Sequence, residues 1–113
     1  MTTAREEEVM DEIHRDDRRF FMVSGDEVAE LFYELDGDRL VLVHVGVPVR
    51  LSGKGIGARL VSSATEWARA HQLTVVPWCP FARKWLRTHE DEAAGVQIDW
   101  ASRPGSQREK GAS

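Results

Sequence analysis

Apolar and polar positions alternate with a period of two through the first half of the chain and change to a period of three to four after residue 55. In the first half, "RRFFMV" (residues 18–23) and "VAELFYEL" (28–35) read as strands separated by the turn "SGDE". Within the second, Ala29, Leu31, Tyr33 and Leu35 alternate with Val28, Glu30, Phe32 and Glu34. "VMDEIH" (9–14) is a weaker strand pattern, turned toward residues 18–23 by "RDD". "DGD" at 36–38 is a hairpin signal, and "RLVLVHVGVPV" (39–49) follows it. Strict alternation there puts Val41, Val43, Val45 and Val47 on one face and Leu40, Leu42, His44 and Gly46 on the other. Both faces are largely apolar, which predicts a central strand covered on both sides. Pro48 cannot donate to a ladder and ends it.

In the second half, Ile56, Leu60, Val61, Ala64, Trp67 and Ala68 recur at helical spacing, with Arg59, Ser62, Ser63, Glu66 and Arg69 between them. This predicts an amphipathic helix from about Gly57 to His71. "LTVVPW" (73–78) is a short buried strand, and Pro80 suits the first position of a helix that carries Phe81, Trp85, Leu86 and His89 and runs to about residue 89. "VQIDW" (96–100) is a candidate last strand. A meander followed by strand–helix–strand–helix predicts an α/β (α+β) domain over residues 9–101. Residues 1–8 and 102–113, polar and rich in small residues, are expected to be flexible.

Composition narrows the function. At 113 residues and a formal net charge of −4, the chain is long enough for one core and is not suited to broad binding of nucleic acid or anionic membrane. Local basic clusters, Arg18-Arg19 and Arg83-Lys84 with Arg87, remain able to hold a small anion. The one cysteine, Cys79, excludes an internal disulfide and a cysteine-built metal site. Histidines 14, 44, 71 and 89 lack metal-ligand spacing, so no metal is expected. With no apolar leader or long apolar run, the expected location is the cytoplasm.

"RLSGKGIGARL" (50–60) places Gly53, Gly55 and Gly57 between the central strand and the long helix. A helix N-terminus offers unpaired N–H groups and a partial positive charge of about +0.5. Glycines before it let those amides converge on an anion. The spacing excludes a Walker A loop, because Lys54 precedes Gly55, and it departs from the G-x-G-x-x-G of dinucleotide folds. Two readings stand at this point, a phosphate or pyrophosphate cradle and a tight turn without ligand. On the cradle reading, Val at position 55 would weaken ligand binding far more than stability.

"VPVRLSGKGIGARLV" resembles the pyrophosphate-binding segment of the GNAT acyltransferase superfamily, summarised as Q/R-x-x-G-x-G/A. Joined to "LTVVPWCPFARKWLRTH", it is similar to the small single-domain branch often called YjdJ-type, over about residues 9–100. The resemblance implies a minimal fold with a mostly antiparallel sheet, splayed between its two central strands and flanked by helices. It implies an N-acetyltransferase that takes acetyl-CoA as co-substrate and an unidentified amine as acceptor. A monomer or weak homodimer is expected. The pantetheine arm would pair with backbone near Val45 and Val47. The pyrophosphate would sit on the segment Gly53, Lys54, Gly55, Ile56 and Gly57. Ser52 occupies the Q/R position when aligned on the helix, and Arg50 satisfies the written pattern two residues early. Arg59, Arg83 and Lys84 are candidates for the CoA 3′-phosphate.

An acceptor amine of lysine type must lose its proton near pH 7, at a cost of about 4–5 kcal/mol, so a general base or a water chain is needed. Relatives often carry glutamate where this chain has Gly46, and their acid tyrosine is replaced by the region of Phe81 and Trp85. That leaves Cys79, at a strand end before Pro80, as proton donor or acyl acceptor. The alternative for Cys79 is simple packing. His44 is a second candidate, and His89 matches a histidine of the family pattern. Trp78 or Trp85 would flank the acyl pocket. The absent acid and base also admit a non-catalytic CoA-binding regulatory module, and a ligand-free interaction domain is a third reading.

Overall fold

The computed structural model describes residues 12–103; the predicted flexible N-terminus, residues 9–11 of the first weak strand and residues 104–113 lie outside them. Five strands form one sheet in sequential order: β1 (His14–Arg15), β2 (Arg19–Ser24), β3 (Glu27–Asp36), β4 (Arg39–Gly46) and β5 (Thr74–Pro77). The first three pairings are antiparallel, and β5 joins β4 in parallel. Helix α1 (Ile56–Ala70) makes the crossover between β4 and β5. Helix α2 (Pro80–Thr88) and the short α3 (Glu90–Ala93) follow. This is the α/β class that the alternating patterns predict, and both long helices begin and end within a residue of expectation. "VQIDW" contributes a single parallel bridge, Val75 to Ile98, rather than a strand.

Local chemistry accounts for the boundaries. Gly25 and Gly37 supply the positive φ that the two hairpin turns require. Pro80 stands in the first turn of α2, where its missing N–H leaves no acceptor unpaired. Leu60, Val61, Ala64 and Ala68 of α1 are fully buried against Met22, Leu31, Leu40 and Leu42 of the sheet. Arg15 lies over the Trp67 ring at 4.4 Å and donates to the Tyr33 hydroxyl, which clamps the two-residue β1 onto both layers.

The strict alternation expected for β4 is broken. Tyr33 faces Leu42 and Phe32 faces His44, so Val43 is an extra residue without an opposite number. A bulge of this kind reverses the side-chain phase beyond it. Leu40 and Leu42 therefore share the core side with Val45 and Val47, while Val41 stands with His44 and Gly46 on the other face. Burial of both faces also stops at Leu42: Val41 and its neighbour Val76 are covered, but His44 is exposed.

Candidate active site

The pairing of β4 with β5 ends at Leu42 and Pro77. The N–H groups of Trp78 and Cys79 both donate to the Leu42 carbonyl, at 3.1 and 3.0 Å, and the chain then turns into α2. Beyond this point β4 runs on to Gly46 with only β3 beside it. The sheet is thus split, with β4 on one side of the opening and α2 on the other.

A cleft of about 550 Å³ lies at this opening. Val45 comes to it from β4 and Val47 from just beyond, Leu51 to Gly53 from the loop, Gly55 to Ala58 from the start of α1, and Phe81 and Trp85 from α2 with His89 at its C-terminal cap. The walls are mainly apolar, and the polar groups are mostly main chain. Among the described residues, no N–H from Gly53 to Ala58 donates to a protein acceptor; the first amide of α1 to do so is Arg59, to the Gly55 carbonyl. Gly55 is the N-cap and offers no side-chain cap. A row of unpaired amides at the positive end of a helix bonds anions well, and a buried row without partners would be costly.

The glycines have separate causes. Gly53 and Gly55 have φ of 80° and 76°, left-handed values that side chains disfavour. Gly57 is helical, and a β-carbon there would stand 3.0 Å from the tip of the Phe81 ring. Its hydrogen lets α2 pack against the first turn of α1. Because Gly55 is needed for its backbone angle, valine there strains the loop itself, so that substitution reads stability together with binding.

Of the residues expected to bind, Val45, Val47, Ser52, Gly53, Gly55, Ile56 and Gly57 line the cleft. Ser52 turns its hydroxyl onto the Val49 carbonyl at 2.7 Å, closing a 3-10 turn over Val49–Leu51. Arg50 points into solvent beside Glu27, and exposed Lys54 is outside the lining. Arg83 also lies elsewhere: it donates to the Trp100 carbonyl at 3.0 Å, because position 83 is on the side of α2 away from Phe81. Cys79 caps α2 and is packed in the core at 4% exposure. His44 is exposed on the opposite face of the sheet, its ring stacked on Phe32. Neither is part of the cleft lining, although Cys79 shares the core cluster with Leu51, Ile56 and Trp85, which are. Trp78 donates its indole N–H to Ser102, so of the two tryptophans proposed for the pocket only Trp85 reaches it.

Leu51, Ala58 and His89 complete the lining, and His89 is its one titratable side chain. The imidazole stacks on Trp85 at 4.4 Å and sets Nδ1 2.9 Å from the Trp85 carbonyl. A carbonyl only accepts, so Nδ1 carries the hydrogen and, in the neutral ring, Nε2 is the acceptor. The i, i+4, i+8 spacing of Phe81, Trp85 and His89 was the available signal for this shared face.

A family model matches the stretch of chain that builds this site. The model of GCN5-related N-acetyl-transferases covers residues 19–96. The chain belongs to this GNAT family. A protein from Staphylococcus aureus, solved in solution by NMR and assigned as GCN5-like, shares the fold with a TM-score of 0.64. It is 24% identical, over 81% of this chain and 94% of its own. No curated protein sequence matches significantly. The GNAT domain thus occupies most of the described residues, and no helix among them is long and apolar enough to cross a membrane.

Proposed function

We propose that this GNAT domain binds acetyl-CoA in the cleft and transfers the acetyl group to an amine, either a small amine or one on a protein or peptide. One observation carries the reading: the unpaired amides of Gly53–Ala58 and the split between β4 and β5 open onto the same cleft. The amides fit a diphosphate, since main-chain donors at a helix N-terminus bind it without lysine or arginine. Val45 and Val47, on the strand edge that β5 leaves unpaired, suit the extended pantetheine arm, and Phe81 and Trp85 provide apolar cover.

In the transfer, the amine nitrogen forms a bond to the carbonyl carbon, the carbon–sulfur bond breaks, the amine gives up a proton and the thiolate takes one. Cys79 is at the strand end where the sheet opens, and it supplies the proton to the thiolate or accepts the acetyl group itself. His44, exposed two residues past Leu42, receives the proton from an amine that approaches from the opposite face of the sheet. The rival reading, a CoA-binding module without turnover, is favoured by the absence of acidic side chains from the cleft lining.

Titration with acetyl-CoA, followed at the backbone amides, tests binding: the largest shifts are expected at Gly53, Gly55 and Gly57. Shifts confined to other regions would refute the cleft assignment. Release of CoA with a panel of amines separates enzyme from module; binding with no acceptor acetylated decides for the module.

A further inference from the structure

We propose that Arg83 and Arg87, together with Trp100, form a second anion site that takes a phosphate monoester bearing an apolar or aromatic group. This site is independent of the cleft. Phe81 and Trp85 face the cleft, and Arg83 and Arg87 stand two residues further on in each case, about 200° round the helix axis. Both guanidinium groups lie over the Trp100 ring, at 5.8 and 4.9 Å. Arg103 adds a third, donating to the same Trp100 carbonyl that accepts from Arg83.

Two like charges, Arg83 and Arg87, share this ring. Among the described residues neither Arg83 nor Arg87 makes an ion pair. Asp99, the nearby acid, is committed: it pairs with Arg39 at 2.6 Å and accepts from the amides of Ala101 and Ser102. Burial first, and then the charges of Arg103 and Arg87, hold the Arg83 guanidinium below its ordinary value, opposed by the charge of Asp99. An anion placed between the two guanidinium groups would offset their mutual repulsion. Two guanidinium groups match the charge of a phosphate monoester, about −1.5 to −2 at pH 7, and their planar forks match its oxygens.

The apolar half of the ligand follows from the adjoining groove. Leu86, Ala93, Ile98 and Trp100 form its floor, with Arg87 and Glu90 on the rim, in a volume of about 530 Å³. Inorganic phosphate would use only the guanidinium edge. Glu90 on the rim would repel a second anionic group, which restricts the ligand to one phosphate and an uncharged body.

Phenyl phosphate is the probe, with inorganic phosphate and phenol supplying the charge and the ring separately. NMR of the full chain distinguishes the two sites, because the Trp100 indole reports the groove and the Gly53–Gly57 amides report the cleft. Phenyl phosphate is expected to shift the Trp100 indole saturably at concentrations up to about 10 mM. It should bind more tightly than inorganic phosphate, and phenol should leave the resonance in place. Arg87→Gln removes an exposed side chain, so the variant should fold, and it should bind phenyl phosphate about tenfold or more weakly; Arg87→Lys should recover part of the loss. No saturable shift at Trp100, equal binding by R87Q, or an equal response to phenol overturns the proposal. A response at the cleft amides alone overturns it too and leaves the acetyl-CoA reading standing.

Discussion

The ring of Phe81 occupies the space that a side chain at Gly57 would need, with 3.0 Å between its tip and an ideal β-carbon. The contact joins the first turns of α1 and α2 on the wall of the cleft, so helix packing and ligand access depend on the same pair. Gly57→Ala gains helix propensity, about 1 kcal/mol, and loses part of it by displacing a half-exposed ring. The melting temperature of Gly57→Ala should therefore change little. In a Phe81→Ala background the same substitution should stabilise by up to about 1 kcal/mol. A double-mutant cycle by thermal unfolding checks this; identical effects in both backgrounds would show that the ring does not constrain position 57.

Gly55 carries a different constraint. At φ 76°, Gly55→Ala should cost about 1–2 kcal/mol, and Gly55→Val should cost more because its branched side chain is stiffer. Asparagine tolerates the left-handed region, so Gly55→Asn should retain most of the stability. Acetyl-CoA affinity measured calorimetrically for Gly55→Asn then isolates the effect of a side chain beside the amide row. Retained stability with a lost affinity supports the cradle; the same affinity as wild type counts against close approach there.

The C-terminal segment should come loose in acid. The hydrogen bond from Arg39 is the main reason that the Asp99 carboxyl sits below the usual carboxylate range, opposed by partial burial and helped by the amides of Ala101 and Ser102. Asp16 is lowered too, first by the Arg18 amide. A carboxyl that is more acidic folded than unfolded stabilises the fold above its unfolded value of about 3.9, and that contribution is lost as the pH falls through the folded value. Asp99→Asn should cost about 1–2 kcal/mol at pH 7 and progressively less below pH ~4. Melting curves between pH ~3 and ~7 should converge for the two proteins; a constant gap would contradict the assignment.

Cys79 separates chemistry from packing. Cys79→Ala changes a small buried side chain and should lower stability by about 1 kcal/mol. If the thiol takes part, the rate of CoA release should fall by about 10²-fold or more with acetyl-CoA affinity preserved. Mass spectrometry after incubation with acetyl-CoA should find acetyl on Cys79 if the thiol is an acyl acceptor. Unchanged turnover in Cys79→Ala would leave the residue as core.

The amino-acid order by itself determined the features that rest on neighbours a few residues apart. The hairpin at 36–38, the start of α2 at Pro80, the amphipathic face of α1 and the glycine loop before it follow from backbone angles, missing donors and helical spacing, which short segments carry with them. Only the tertiary structure decided the phase and partners of β4. Residues 40–47 alternate perfectly on paper, but pairing with β3 leaves Val43 unmatched, and one unmatched residue turns Val45 and Val47 toward the cleft and His44 away. The same holds for Arg83, which heads for Trp100 because the C-terminal segment packs beside that side of α2. It holds for Cys79, buried because Leu42 draws the chain in where the strands part. Those outcomes depend on contacts between segments far apart in the chain, and a local pattern has no means of encoding which register or which helix face the distant partner will meet.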